Sequence, residues 1–285
     1  MSAFGRRQLS WPAKIVVADR PCCLTLSSKP QTKSYLWSQM TDSGHPVRCF
    51  TYTPGRGAQL ADKLFMGIRK GAVLMTDGYE PYNGIAERYQ LVHLGCWVHC
   101  RRYFVKAEEN VPKAARSRDL LATRVIKLIG KLFAAEARTA KWEANQRQRL
   151  RRRYSARVLD AIYDLMLEQS PGVVPNSLLG KALTYLREQW PKLILYVENG
   201  DWPISNNACE NSIRPFVIGR RGWLFADTVD GAAASANLYS LVETCKACRI
   251  DPYRYLTLLF QQLPLAKNVD DYAALLPWSM SAQPG

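Results

Sequence analysis

Along its first hundred residues the chain alternates short apolar runs with polar turns, the signature of buried strands joined by tight connections. Ile15-Val16-Val17-Ala18 is an apolar, β-branched run ending at Asp19, which predicts a buried strand with a carboxylate at its tip. Residues 34–40 and 47–52 predict two further strands, separated by the turn-rich Thr41-Asp42-Ser43-Gly44. Helical spacing over residues 59–68 precedes another apolar run at 72–76, which again ends at a carboxylate, Asp77, with Gly78 freeing the backbone behind it. Residues 89–94 read as a strand and 99–109 as a basic amphipathic helix.

From residue 114 to about 197 the pattern changes to long helices, with apolar residues at helical spacing over 120–140, 150–167 and 177–190. Such a block reads as a helical insertion between two parts of a strand-rich domain. Beyond it, Ser205 or Asn206 is placed to cap a helix running to about Arg214, with Pro215 as its stop. Residues 216–225, apolar and basic by turns and containing Gly219 and Gly222, predict a loop or short hairpin. Helices then carry the chain to Pro277 and Trp278, with no internal repeat and no low-complexity tract.

Composition narrows the classes. A chain of 285 residues, 47% of them hydrophobic, forms a sizeable core. No run approaches the roughly 20 apolar residues needed to cross a bilayer, and no signal peptide is legible, so the reading is cytoplasmic, without a membrane partner. Lys and Arg total 39 against 24 acidic residues, a formal charge of +15. That excess favours a polyanion, nucleic acid before anionic membrane, since phosphate neutralisation releases counterions whatever the base sequence. The eight cysteines read as reduced thiols, and Cys245 and Cys248, spaced like a redox or zinc pair, as small buried hydrophobes of a helix.

Two strands that each end in an aspartate suggest metal chemistry, because hard divalent cations take oxygen ligands and strand ends hold them rigidly. By pattern alone, such aspartates also serve simply to cap turns. The words around them are more specific. Thr76-Asp77-Gly78-Tyr79, Gly95-Cys96-Trp97-Val98-His99-Cys100-Arg101-Arg102, Asn206-Asn207-Ala208-Cys209-Glu210-Asn211, Arg214-Pro215 and Ile218-Gly219-Arg220 closely resemble the insertion-sequence 66 family of transposases. Tyr239-Ser240-Leu241-Val242-Glu243-Thr244, Asp251-Pro252-Tyr253 and Leu275-Leu276-Pro277-Trp278 continue the resemblance, which runs in order from about Ala18 to Trp278.

The resemblance implies an α/β fold: a ribonuclease H-like mixed sheet with a large helical insertion and a helical C-terminal tail. The expected parts are a first stretch of core over residues 1–110, the insertion over 111–198, core again over 199–232, and a helical segment over 233–285. It further implies an Asp-Asp-Glu triad of Asp19, Asp77 and Glu210, holding two Mg²⁺ or Mn²⁺ ions for cleavage and strand transfer of double-stranded DNA, transposon ends and target. A homo-oligomer on DNA and association with the bacterial nucleoid follow from the same likeness. Two departures stand out. Ala18-Asp19 is followed by Arg20-Pro21 where the family has Glu-Thr, and only eighteen residues precede Asp19. The chain therefore reads as truncated at its N-terminus, and a catalytically inactive remnant that still binds DNA is the alternative. A structure-selective nuclease of the same fold is a third reading.

Cys96 and His99 form a Cys-x-x-His pair, read as supporting the site, against simple packing or zinc. Candidate DNA contacts are Arg101 and Arg102 on the basic helix, and Arg151, Arg152 and Arg153 in a dense arginine cluster of the insertion. Arg220, Arg221 and Trp223, expected in a loop after the glutamate helix, complete the set: guanidinium groups hold phosphate and an indole stacks on a base.

Overall fold

The computed structural model describes residues 14–22, 34–41, 45–223, 226 and 228–280, with the backbone alone for 14–22, 220, 221 and 223. Residues 1–13 and the expected turn at Asp42-Ser43-Gly44 lie outside the described residues. The elements run β1 (Lys14–Cys22), β2 (Ser34–Thr41), β3 (Val47–Thr53), α1 (Ala58–Lys63), β4 (Val73–Thr76), α2 (Pro81–Arg88), β5 (Val92–Gly95) and α3 (Trp97–Glu109). They continue with α4 (Leu121–Arg138), α5 (Ala144–Leu150), α6 (Ala156–Gln169), α7 (Leu178–Leu193), α8 (Asn207–Ser212) and α9 (Arg214–Trp223). The last are α10 (Val229–Ala247), α11 (Pro252–Gln262), α12 (Val269–Ala274) and α13 (Pro277–Met280). The architecture is mixed α/β and mostly helical, with strand order β3-β2-β1-β4-β5.

By its contacts the chain forms two units, one of Met1–Leu74, Pro81–Leu91 and Ala208–Gly285, the other of Met75–Glu80 and Val92–Asn207. In the first, β1, β2 and β3 form an antiparallel meander in which Asp19 pairs with Trp37 and Ala18 with Ser38. Leu36 and Phe50 of this meander bury against Ile213, Phe216, Ala232 and Ala236. Trp37 is fully buried, its indole N–H donating to the Thr53 hydroxyl at 2.7 Å, and Tyr82 meets its edge at 6.2 Å. A smaller core of Cys245, Tyr255, Leu259 and Leu275 ties the C-terminal helices together.

The outer backbone of β3 is occupied by α10. The Arg48 N–H donates to the Thr244 hydroxyl, which donates back to the Arg48 carbonyl, each at 3.0 Å, while the Phe50 N–H donates to the Ser240 hydroxyl at 2.7 Å. The match is geometric: two residues of strand advance about 6.6 Å and four of helix about 6.0 Å.

The second unit is a helical bundle. Trp97, Cys100, Phe104 and Ala107 line one face of α3 and pack with Val125, Ile129 and Leu132 of α4, Ile162 of α6, and Leu183 and Leu186 of α7. The Trp97 indole N–H donates to the Leu193 carbonyl at 2.9 Å. Between α5 and α6, Arg151–Ser155 form one π-helical turn.

Two expectations need correction. Residues 216–223 are helix, not loop or hairpin: Pro215 sits in the first turn of α9, where its missing N–H costs nothing, so it opens a helix as well as ending one. Pro191 lies inside α7, which runs past the expected end at Trp190 to Leu193. Residues 81–88, to which the sequence reading assigns no element, form α2, with Tyr82, Ile85 and Ala86 buried.

Candidate functional site

Asp19 lies on β1, with its side chain outside the described residues. Its neighbour Ala18 pairs with Ser38 of β2, and Ser38 is the seat of α8. The Cys209 thiol donates to the Ser38 carbonyl at 3.2 Å, and the Ser38 and Ser212 hydroxyls lie 3.0 Å apart. Cys209 and Ser212 are three residues apart and so share the helix face turned to the sheet. Glu210, the residue after Cys209, is half-buried. The first unit thus brings the helix carrying Glu210 to the strand position paired with the residue before Asp19.

Asp77 belongs to the second unit. It directly follows β4, half-buried, and its carboxylate accepts the Tyr79 N–H at 3.1 Å, the side-chain-to-backbone bond of an Asx turn. Gly78 takes φ of 91°, and a Cβ there would stand 3.0 Å from the Tyr185 hydroxyl, so both conformation and space call for glycine. That hydroxyl donates to the Asp77 carbonyl at 2.8 Å. Burial, with Cys100, Cys96 and Asp77 nearby, pushes the Tyr185 phenol well above its usual range, so it remains a donor. The ring stacks on Tyr103 at 4.5 Å. Tyr185 is the supporting residue that sequence reading missed; it sits 108 residues from Asp77 with no motif around it.

One residue before Asp77, the Thr76 hydroxyl lies 2.8 Å from Nε2 of His93, which is buried. Of the Cys-x-x-His pair, Cys96 is buried at the start of α3 and His99 is half-buried, its Nε2 3.2 Å from Nη1 of Arg102. Burial and Cys96 raise the Cys100 thiol far out of the range where thiolates form, so it acts as packing. Among the described residues, which do not include the Asp19 side chain, no three His, Cys, Asp or Glu side chains gather in metal-binding reach.

The basic candidates divide. Arg101 and Arg102 project from the exposed face of α3. Arg151 does not project: its side chain is 3% exposed, pairs with Glu136 at 2.6 Å and donates to the Tyr196 carbonyl at 2.7 Å. Its expected role as a DNA contact is therefore corrected to a structural one. Arg152 and Arg153 are exposed, Arg152 pairing with Glu198 at 3.0 Å. Arg220, Arg221 and Trp223 lie on α9, with their side chains outside the described residues.

Residues 15–234 match the model of the transposase IS66 family, and residues 240–278 match the IS66 C-terminal element. Curated relatives come from Sinorhizobium fredii (strain NBRC 101917 / NGR234). The uncharacterized protein y4qI is 26% identical over 281 residues, covering 93% of this chain and 50% of its own. The uncharacterized protein y4jD is 24% identical over 260 residues, covering 87% of this chain and 49% of its own. This chain therefore spans about half the length of the curated relatives it matches. With one family model covering most of the sequence and a second its C-terminal part, the chain belongs to the transposase IS66 family.

Proposed function

We propose that this chain is the catalytic region of a DNA transposase, in which Asp19, Asp77 and Glu210 hold two Mg²⁺ or Mn²⁺ ions for cleavage and strand transfer. The observation that carries the reading is the seating of α8, the Glu210 helix, on Ser38 of β2, the residue paired with Ala18 next to Asp19. The strand order β3-β2-β1-β4-β5, with an antiparallel β1–β3 meander, supports a ribonuclease H-like core. The donor set fits the metal, since three carboxylates offer the oxygen ligands that hard divalent cations take. When bound, such a pair of ions lowers the pKa of an attacking hydroxyl and stabilises the leaving 3′-oxygen. The chain's own residues do the positioning. The Tyr79 N–H fixes one oxygen of the Asp77 carboxylate, and the Tyr185 hydroxyl fixes the backbone behind it. Partners under this reading are double-stranded DNA and further copies of the chain; among the described residues no helix is long and apolar enough to cross a membrane.

The test is nicking of labelled transposon-end duplex by the purified chain with Mg²⁺ or Mn²⁺. Asp77→Asn and Glu210→Gln are each expected to lower the rate by more than about a hundredfold, beyond the loss of a supporting group. Unchanged nicking in both would overturn the assignment. A second reading, a remnant that binds DNA without cutting it, is favoured by Arg20 and Pro21. Pro21 stands in the central strand β1 opposite Tyr35, where proline brings no N–H to the ladder. Metal-independent DNA binding without nicking, from an otherwise folded chain, would select that reading.

A further inference from the structure

We propose that the groove beside the π-helical turn of the helical unit is a site for single-stranded DNA, with unpaired bases stacked on Trp142 and Tyr154 and their flanking phosphates on Arg149 and Arg153. The proposal rests on the DNA reading above and extends it to a strand whose bases are out of the duplex.

The groove encloses about 400 Å³ and is lined by Trp142, Gln146, Arg149, Leu150, Arg153 and Tyr154. Trp142 is 46% and Tyr154 37% exposed, so two large aromatic surfaces face solvent at one place on a helical bundle. The lining contains two arginines and no acid, and a third, Arg138, lies over the Tyr154 ring at 5.7 Å. The acid nearest in sequence, Glu143, caps the start of α5. Aromatic faces interleaved with guanidinium groups are what an unpaired nucleotide requires, since every base has a π-face and every link a phosphate. Bases in a duplex are stacked on one another and offer no free face.

The groove is also built. The π turn carries one residue more than an α turn would, a local device common at functional positions. Within it Arg151 turns inward to Glu136 and Tyr196, while Arg153 and Tyr154 turn outward to the groove. Below, the corner between α4 and α5 is clamped. Gly200 approaches Ala144 so closely that no Cβ would fit, and Arg147 pairs with Asp201 at 3.0 Å. A backbone held in this way confines the ordering cost of binding to the side chains that touch the ligand.

The experiment uses the full chain with labelled oligothymidylate and a mixed-sequence duplex of equal length. Trp142→Ala and Tyr154→Ala are each expected to weaken oligothymidylate binding about fivefold to a hundredfold, while duplex affinity holds. Oligothymidylate should quench indole emission in the unaltered chain and quench it less in Trp142→Phe, a variant that keeps a stacking ring. Unchanged single-strand affinity in both alanine variants, or equal loss on both DNAs, would overturn the site. So would an absence of quenching. Asp77→Asn should leave this binding intact. A chain that nicks and binds duplex but ignores oligothymidylate would sink this proposal alone, whereas a chain that binds neither DNA would sink the DNA reading as well.

Discussion

His93 shows how one side chain can tie stability to pH. Its ring is buried on β5 against the Thr76 hydroxyl, and burial, with the Lys192 charge second, lowers its pKa from 6.5 to about 3. The folded protein thus keeps this imidazole neutral, while the unfolded chain takes up a proton below about pH 6.5. The stability it contributes is complete above that pH and is lost as pH falls toward 3, at a slope of up to about 1.4 kcal/mol per unit. Urea unfolding at pH 7 and pH 5 should show the midpoint falling with acidity, and His93→Gln should flatten that dependence; equal slopes in both proteins would remove His93 from the account. At this scale Asp77 and Glu210 stood out in the sequence, because each lies in a word that resembles the family, whereas the word around Asp19 departs from it. Tyr185 did not stand out, because a tyrosine on an amphipathic helix carries no sign of the strand end it will meet.

Among the elements, the arginine cluster separates what periodicity reveals from what packing decides. Arg151, Arg152 and Arg153 share one residue type, and it is Arg151 that enters the bundle, four residues before the buried Ser155 and on the same face. Removing Arg151 leaves the Glu136 carboxylate and the Tyr196 carbonyl without their buried partner. Arg151→Met is therefore expected to cost about 3 kcal/mol in urea unfolding, and Arg152→Ala, which breaks an exposed pair, less than about 1 kcal/mol. Similar losses in the two variants would contradict the inward placement. The strands β2, β3 and β4 were readable as apolar runs, and α4 and α7 as stripes at helical spacing. Helix α9 was not, because Pro215 and two glycines signal a break as readily as a first turn and tertiary burial of Phe216 chose between them.

For the molecule as a whole, a formal charge of +15 sets the terms on which the proposed DNA binding is tested. If six to ten phosphates are contacted, affinity for duplex should fall about 10³–10⁵-fold between about 50 and 200 mM salt, linearly on logarithmic axes. Chelating the divalent ions should abolish nicking and leave that line in place; a flat salt response would show that the charge does not face DNA. The pairing of α10 with β3 carries a consequence for assembly. Sheets at rest invite a neighbour wherever a strand leaves its outer amides vacant. At Arg48 and Phe50 those amides already answer to Thr244 and Ser240. If copies gather on DNA as proposed, they meet through side chains rather than by extending one another's sheets at this border.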